Sequence, residues 1–302
     1  MQTIKALSLT QNVNEWLANT LQPRILHVFD NVCNLLNEQK EVLSIVVQQI
    51  GNGPFNLVVE DDILFSKFIS LESPVFVSPT QLILGDLSIN TVDANLWNPR
   101  PDWEGLHAKR ADILKQIPSL RAPKGAKQSP TGKVPTNELE IAYPNGHRSS
   151  KSASALLTLT EFPDLQFSDS LARANISAAI IQASKLAGLG QGLTPAADDY
   201  IMGALHAVWI IHPREVALKL GNEIAEIAAP LTTSLSAAWI RSAGRGKSGE
   251  IWHRLFDALI SGEKVQMTRS LDNILAVGET SGADALAGFI GVCSAAKERM
   301  YN

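Results

Sequence analysis

The chain changes its hydrophobic period partway along. Val42, Leu43, Ile45, Val46 and Val47 form a largely β-branched run that stops at the turn signal Gly51-Asn52-Gly53-Pro54. Phe55, Leu57, Val58 and Val59 follow, then Phe65 to Ile69, Val75-Phe76-Val77, and Leu82-Ile83-Leu84 ahead of Gly85-Asp86. Short strands at intervals of about ten residues predict a small β-barrel or sandwich. It would span residues 23–100, after a helical stretch at Val13 to Leu21. From residue 152 the spacing turns helical, with Ala, Leu and Ile recurring in Leu171–Leu186, Ile201–Ile211, Val216–Ile227, Leu231–Ile240, Ile251–Ile260 and Ala285–Ala296. About five to seven helices of this length predict a compact bundle. Its Ala-rich faces allow close helix contacts.

Between the two lies a different composition. Residues 101–117 read as a helix with Trp103, Leu106, Ile113, Leu114 and Ile117 on its apolar face. The stretch from Pro118 to Lys151 is rich in Pro, Gly, Ser and Lys. From Lys109 to Lys133, seven basic residues (Lys109, Arg110, Lys115, Arg121, Lys124, Lys127 and Lys133) face a single acid, Asp112. It reads as a solvated basic connector, with a flap over an anionic ligand as the functional alternative. The expected class is α+β: a β-rich N-terminal domain (1–100), a helix plus basic connector (101–151) and a helical bundle domain (152–302).

Charge narrows the function. Across 302 residues, 26 Lys plus Arg balance 30 Asp plus Glu for a formal charge of −4, which argues against a general nucleic-acid binder. Cys33 and Cys293 lie far apart, so neither a disulfide scaffold nor a cysteine zinc site is expected, and a reducing cytoplasm fits. No apolar run approaches the ~18 residues of a membrane span. Met1 to Leu21 lacks the pattern of a signal peptide.

The most informative segment is Gly188-Leu189-Gly190-Gln191-Gly192-Leu193-Thr194-Pro195-Ala196-Ala197-Asp198-Asp199. Thr194 suits a helix N-cap and Pro195 the first helical position, with both aspartates in the first turn where the helix dipole favours them. Capping leaves Gly188, Gly190, Gly192 and the acidic doublet unexplained. Glycines before a helix let backbone amides approach an anion. Neighbouring aspartates diverge by about 100° around a helix. One could therefore hold Mg²⁺ or a substrate amine while the other locks the loop. Asp199, Gly203 and His206 share a face, which makes His206 an acid–base candidate, although core packing is the commoner use of such a histidine.

A second segment repeats the first. Gly278-Glu279-Thr280-Ser281-Gly282-Ala283-Asp284 matches Gly192 to Asp198 as Gly-x-Thr-x-x-Ala-Asp, and Gly203 and Gly288 each follow an aspartate by four residues. Two similarly capped helices would explain this. So would two N-termini pointing at one cavity, suited to a phosphate with a divalent cation. Thr232, Thr233, Ser234 and Ser236 lie between them as further hydrogen-bonding candidates. Gly244-Arg245-Gly246-Lys247-Ser248-Gly249 lacks phosphate-loop spacing and reads as a basic turn.

Together, residues 188–203 and 277–290 resemble the AllH-like family. Gly188, Leu189, Gly190, Gly192, Leu193, Thr194, Pro195, Asp198 and Asp199 match its Gly-Leu-Gly-x-Gly-Leu-Thr-Pro-Ser-Gly-Asp-Asp pattern. Gly278, Ser281, Gly282, Asp284, Leu286 and Gly288 match its C-terminal Gly-His-x-Ser-Gly-x-Asp-x-Leu-x-Gly. Ala196 and Ala197 replace the usual Ser-Gly, and Glu279 replaces the usual His. The resemblance implies a subunit of an oxamate carbamoyltransferase, moving a carbamoyl group between oxamate and phosphate in anaerobic allantoin breakdown, with FdrA-type partner subunits. On that reading Asp198, Asp199 and Asp284 are catalytic and Glu279 and His206 are acid–base candidates. Mg²⁺ would sit at Asp198 and Asp199. The backbone at Gly188, Gly190, Gly192 and Gly282, with Thr194, Thr232, Thr233, Ser236, Thr280 and Ser281, would bind a small anionic substrate. The chain lacks the Ser-Thr-Arg-Thr-Arg signature of ordinary transcarbamoylases. The alternative is a non-catalytic ligand-binding or scaffolding subunit, favoured by Glu279 and by the lack of a clear nucleophile. Self-association is compatible with both.

Overall fold

The computed structural model describes residues 1–120 and 164–301. Most of the basic connector, residues 121–151, lies outside them. The first part is β1 (Gln2–Leu9), α1 (Gln11–Asn19), β2 (Arg24–Val28), β3 (Val32–Leu36), β4 (Val42–Val47), β5 (Asn56–Val59), β6 (Val75–Ser78), β7 (Gln81–Leu84), β8 (Leu87–Asn90) and the two-residue β9 (Asn95–Leu96). Eight strands in the order β2-β3-β4-β5-β1-β8-β7-β6 form a nearly closed barrel, and β9 pairs with β1. β1 runs parallel to β8 and β4 parallel to β5, so hairpins alone do not build it.

β4, apolar at every position but Ser44, shows why its run does not alternate. Leu43, Ile45 and Val47 fill the barrel, whereas Val42 joins Leu36 and Phe55 against Leu235, Ala238 and Trp239 of the helical part. A strand buried on both faces has no polar side to alternate with. Two expectations need correction here. The Phe65–Ile69 run makes a short 3₁₀ turn (Phe65–Lys67), with Phe65 buried in the barrel core and its amide bonded to Asp30 O at 2.9 Å. The N-terminal helix begins at Gln11, capped by Thr10, and a strand precedes it.

The rest is helical: α2 (Trp103–Ala108), α3 (Arg110–Leu120), α4 (Asp164–Ala172), α5 (Ile176–Leu186), α6 (Ala196–Ile211), α7 (Arg214–Ala228), α8 (Ser234–Gly244), α9 (Glu250–Ser261), α10 (Lys264–Leu275) and α11 (Ser281–Tyr301). Eight of these lie within residues 164–301, against the five to seven expected. The helix expected over 101–117 breaks at Lys109, and the one expected over Leu171–Leu186 breaks where Ala174 adopts φ +51° and Asn175 caps the next helix. α10 was not expected, and only Met267, Ser270 and Ile274 of it are buried.

The barrel docks on α8 and α9. Phe55 meets Trp239 edge-on at 4.7 Å between ring centroids. The amide N–H and side chain of Asn52 donate to Glu250 Oε2 at 3.1 and 2.9 Å, and Lys247 Nζ donates to Asn12 Oδ1 at 2.7 Å. Cys33 and Cys293 are free and buried. Among the described residues no helix is long and apolar enough to cross a membrane.

Candidate functional site

The two repeated segments meet. α6 and α11 pack through their glycines: a Cβ at Gly203 would lie 1.7 Å from Ala285 O, and one at Gly288 would lie 2.0 Å from Tyr200 O. The contacts are reciprocal: aligning Asp199 with Asp284 pairs 203 with 288 and 200 with 285, one residue out of step with the Gly-x-Thr-x-x-Ala-Asp match. The Asp-to-Gly spacing shared by both segments is therefore a packing device. It brings the two helix N-termini together, where Thr194 Oγ1 and Ser281 Oγ stand 3.1 Å apart.

This contact corrects the capping expectation. Pro195, not Thr194, occupies the N-cap of α6, and no side chain caps that end. The Thr194 hydroxyl turns instead to Ser281 and to the Asp199 carboxylate. Pro195 O receives the Asp198 and Asp199 amides at 2.9 and 3.2 Å.

The acidic doublet splits as helical divergence requires. Asp198 is buried; its Oδ1 accepts from Gly188 N at 2.8 Å and its Oδ2 accepts from the Thr232 hydroxyl. Burial pushes its pKa up, while Gly188, Thr232 and the nearby Ser236 hydroxyl pull it back. Asp198 thus ties the glycine loop to the start of α8. Thr233 completes the tie: it caps α8 by accepting from Ser236 N at 3.1 Å and donates to Leu193 O at 2.7 Å.

Gly188, Gly190 and Gly192 have φ of +77°, +122° and +96°, a left-handed backbone that L side chains avoid. A Cβ at 188 would strike Leu231 O and one at 190 would strike the Ala196 amide, whereas 192 faces open space. Chain reversal alone thus accounts for much of the glycine content.

Asp199 points the other way, toward α11. It is buried beside Asp284, one from each N-terminus. Burial pushes Asp199 up to about 8, the Asp284 and Asp198 charges add to the rise, and the Ser281 and Thr194 hydroxyls oppose it. Burial pushes Asp284 up to about 6 against the Thr280 hydroxyl. Oδ2 of both aspartates is buried with no hydrogen-bond partner. Gly282 lets α11 start close to α10, since a Cβ there would lie 1.8 Å from Ile274 O.

His206 and Glu279 do not join this pair. His206 is buried among Trp103, Trp252 and Phe256, with ring centroids 6.3, 4.9 and 5.9 Å away. Burial, with His253 nearby, pushes it down to about 3, so it stays neutral. Glu279 is exposed at the turn. Among the described residues no three His, Cys, Asp or Glu side chains cluster to hold a metal ion. Asp198 is committed to Gly188 and Thr232, so of the two residues expected to hold Mg²⁺ Asp199 keeps an unpartnered carboxylate oxygen, with that of Asp284 as its neighbour. Sequence reading also passed over the exposed apolar side chains Leu189, Leu193, Leu231 and Val277 on the loops around the site. Two of them are the leucines that alternate with the glycines.

Two family profiles match the chain. Residues 5–96 match the AllH family N-terminal domain, and residues 186–293 match the oxamate carbamoyltransferase subunit AllH. No solved structure matches. The first match spans most of the barrel, and the second runs from the glycine loop through the repeated turn, so that together they cover most of the chain. The chain therefore belongs to the AllH family of oxamate carbamoyltransferase subunits.

Proposed function

We propose that this chain works in a carbamoyltransferase complex and that Asp199 and Asp284 move the proton of the transfer. One observation carries the reading: two buried carboxylates from two helix N-termini share a site, each with one oxygen unpartnered. At neutral pH Asp284 is the ionised member and Asp199 the protonated one, so the pair offers a base and an acid together. Such a pair titrates as a unit.

Carbamoyl transfer to oxamate needs that combination. The oxamate nitrogen attacks the carbonyl carbon of carbamoyl phosphate and forms the C–N bond, pushing the carbonyl π electrons onto oxygen. The oxyanion then re-forms the C=O bond as the C–O bond to phosphate breaks, and phosphate leaves with the electron pair of that bond. The nitrogen proton goes to the ionised carboxylate, and the protonated partner can protonate the leaving oxygen. The positive ends of α6 and α11 favour the transient oxyanion. Gly190 and Gly192 amides serve the phosphoryl oxygens, whereas Gly188 N is already bonded to Asp198. Leu189, Leu193, Leu231 and Val277 offer the FdrA-type partner an apolar surface beside the loop.

A scaffolding role is the second reading. It is favoured by the closure of the site, where Asp199 and Asp284 are only 6% and 3% exposed. Turnover of the complex reconstituted with its partner subunits separates the two. Asp199→Asn and Asp284→Asn should each cut kcat by about 10²–10⁴-fold with the fold intact. Full activity in both variants would leave the scaffold reading standing.

A further inference from the structure

The buried pair at the junction of α6 and α11 raises a question of reach. Asp199 and Asp284 are closed off from solvent, so a substrate docked outside touches little of either. Three neighbouring hydroxyl residues lie nearer the surface: Thr194, Thr280 and Ser281 are half-buried. The Ser281 and Thr194 hydroxyls bond to the Asp199 carboxyl, and the Thr280 hydroxyl bonds to the Asp284 carboxyl. Thr194 Oγ1 and Ser281 Oγ also bond to each other at 3.1 Å. Each buried carboxyl is thus joined to a hydroxyl residue that is itself partly open to solvent.

The second turn supplies one hydroxyl to each acid. Gly278, at φ +62°, reverses the chain; Thr280 O accepts from the Asp284 amide at 2.9 Å; and Ser281 is the first residue of α11. A threonine before a helix commonly caps it. Capping would explain Thr280 alone. It gives no reason for Ser281 to cross to α6, where Thr194 and Asp199 receive it. Of the other acids nearby, Glu279 is exposed and Asp198 is held by Gly188 and Thr232.

A hydroxyl is donor and acceptor at once. It takes a proton on a lone pair while releasing its own, and ends unchanged. Through such a group a buried acid acts on a substrate that it does not touch.

The geometry points to Thr280 and Ser281 as catalytic residues whose hydroxyls contact the substrate and pass protons between it and the buried carboxyls, with Thr194 as the positioning residue that holds Ser281. This rests on the acid–base role proposed above for Asp199 and Asp284. As the oxamate nitrogen bonds to the carbonyl carbon, its N–H proton passes to Thr280 Oγ1, and the Thr280 proton passes to ionised Asp284. As the C–O bond to phosphate breaks, the Ser281 proton passes to the leaving oxygen, and the proton of Asp199 passes to Ser281 Oγ. Both hydroxyls are restored, Asp284 gains one proton and Asp199 loses one. Transfer of that proton from Asp284 to Asp199 resets the pair.

Turnover of the complex reconstituted with its partner subunits, measured from about pH 5 to 9, tests this. Thr280→Val and Ser281→Ala should each lower the maximal kcat by about 10²-fold with unchanged melting temperature. Ser281→Thr, which keeps the hydroxyl, should recover most of the loss seen in Ser281→Ala. A hydroxyl that merely tuned its carboxyl would behave otherwise. Losing a donor to the ionised form raises the pKa of the carboxyl. Ser281→Ala would then move the alkaline limb of the profile upward and leave the maximum unchanged, which would overturn the proposal. Turnover in Ser281→Thr as slow as in Ser281→Ala would overturn it too. Asp199→Asn and Asp284→Asn separate the relay from the reading beneath it. If they are slow while Thr280→Val and Ser281→Ala keep their maximal kcat, the relay is wrong and the acid–base pair stands. If they are fully active, the pair and the relay both fall.

Discussion

The turns that open α6 and α11 share a pattern and differ in how they are built. The first reverses the chain through three left-handed glycines and needs Asp198 to hold that loop against α8. The second reverses in fewer residues, with one left-handed glycine, Gly278, and no equivalent clamp. What both retain is an aspartate followed four residues later by a glycine at the helix crossing. The shared part fixes the packing and brings Asp199 to Asp284. The part unique to the first turn is loop architecture. Adjacent aspartates with the same side chain thus do different work, because about 100° of helical rotation sends one to a backbone amide and the other toward a second carboxylate.

The comparison breaks most severely at the glycines. Gly203→Ala and Gly288→Ala should each destabilise the chain by roughly 3 kcal/mol or more, since backbone cannot yield as a side chain end does. Thermal or urea unfolding checks this, and similar losses at the two positions would express the reciprocity of the crossing. A mild effect at only one of them would show that the crossing is not symmetric.

Next come the aspartates. Asp198→Ala strands the Gly188 amide and the Thr232 hydroxyl and should cost about 2–4 kcal/mol, whereas Asp199→Asn should cost little at pH 7. Unfolding curves of the two variants read the difference directly.

The pH dependence follows from the same asymmetry. Asp199 and Asp284 have folded pKa values of about 8 and 6, above the ordinary carboxylate value of 3.8. Between pH 4 and 8 the folded chain therefore holds protons that the unfolded chain has lost. Their contribution is fully present below about pH 4 and is lost as pH rises through the folded pKa values. Stability should fall by about 1.4 kcal/mol per pH unit for each proton so held, and Asp199→Asn should flatten the upper part of this slope. Rising stability across that window would contradict the arrangement.

The smallest effect belongs to Gly192. Its φ is positive but the space around it is open, so Gly192→Ala should cost only about 1 kcal/mol. Gly190→Ala, which also collides with the Ala196 amide, should cost more in the same unfolding assay.

Much of this architecture was legible in the residues. The β4 run, the Gly51–Pro54 turn and most helices of the second part follow from period and punctuation. β1 escaped because only Ala6 and Leu9 of its eight residues are buried. Its strand state comes from pairing with β5, β8 and β9, more than forty residues on. α10 escaped because it buries one small hydroxyl residue and two apolar ones, too little for a visible stripe.

At the site, the repeat and the doublet were visible, and so was the divergence of Asp198 from Asp199. The division of labour between them was not, since it depends on Gly188 and Thr232 arriving from elsewhere in the chain. Thr194 misled for a simple reason: a hydroxyl before a helix is equally suited to cap it or to bond across to Ser281.

The central claim is that Asp199 holds a proton at neutral pH beside an ionised Asp284. Carbonyl-stretch infrared spectroscopy of the full chain across pH 5 to 9, with Asp199→Asn as reference, measures it directly. A protonated carboxyl band that persists at pH 7, fades near pH 8 and is missing from the variant is the result the account requires. Complete ionisation of every carboxyl by pH 6 would contradict it.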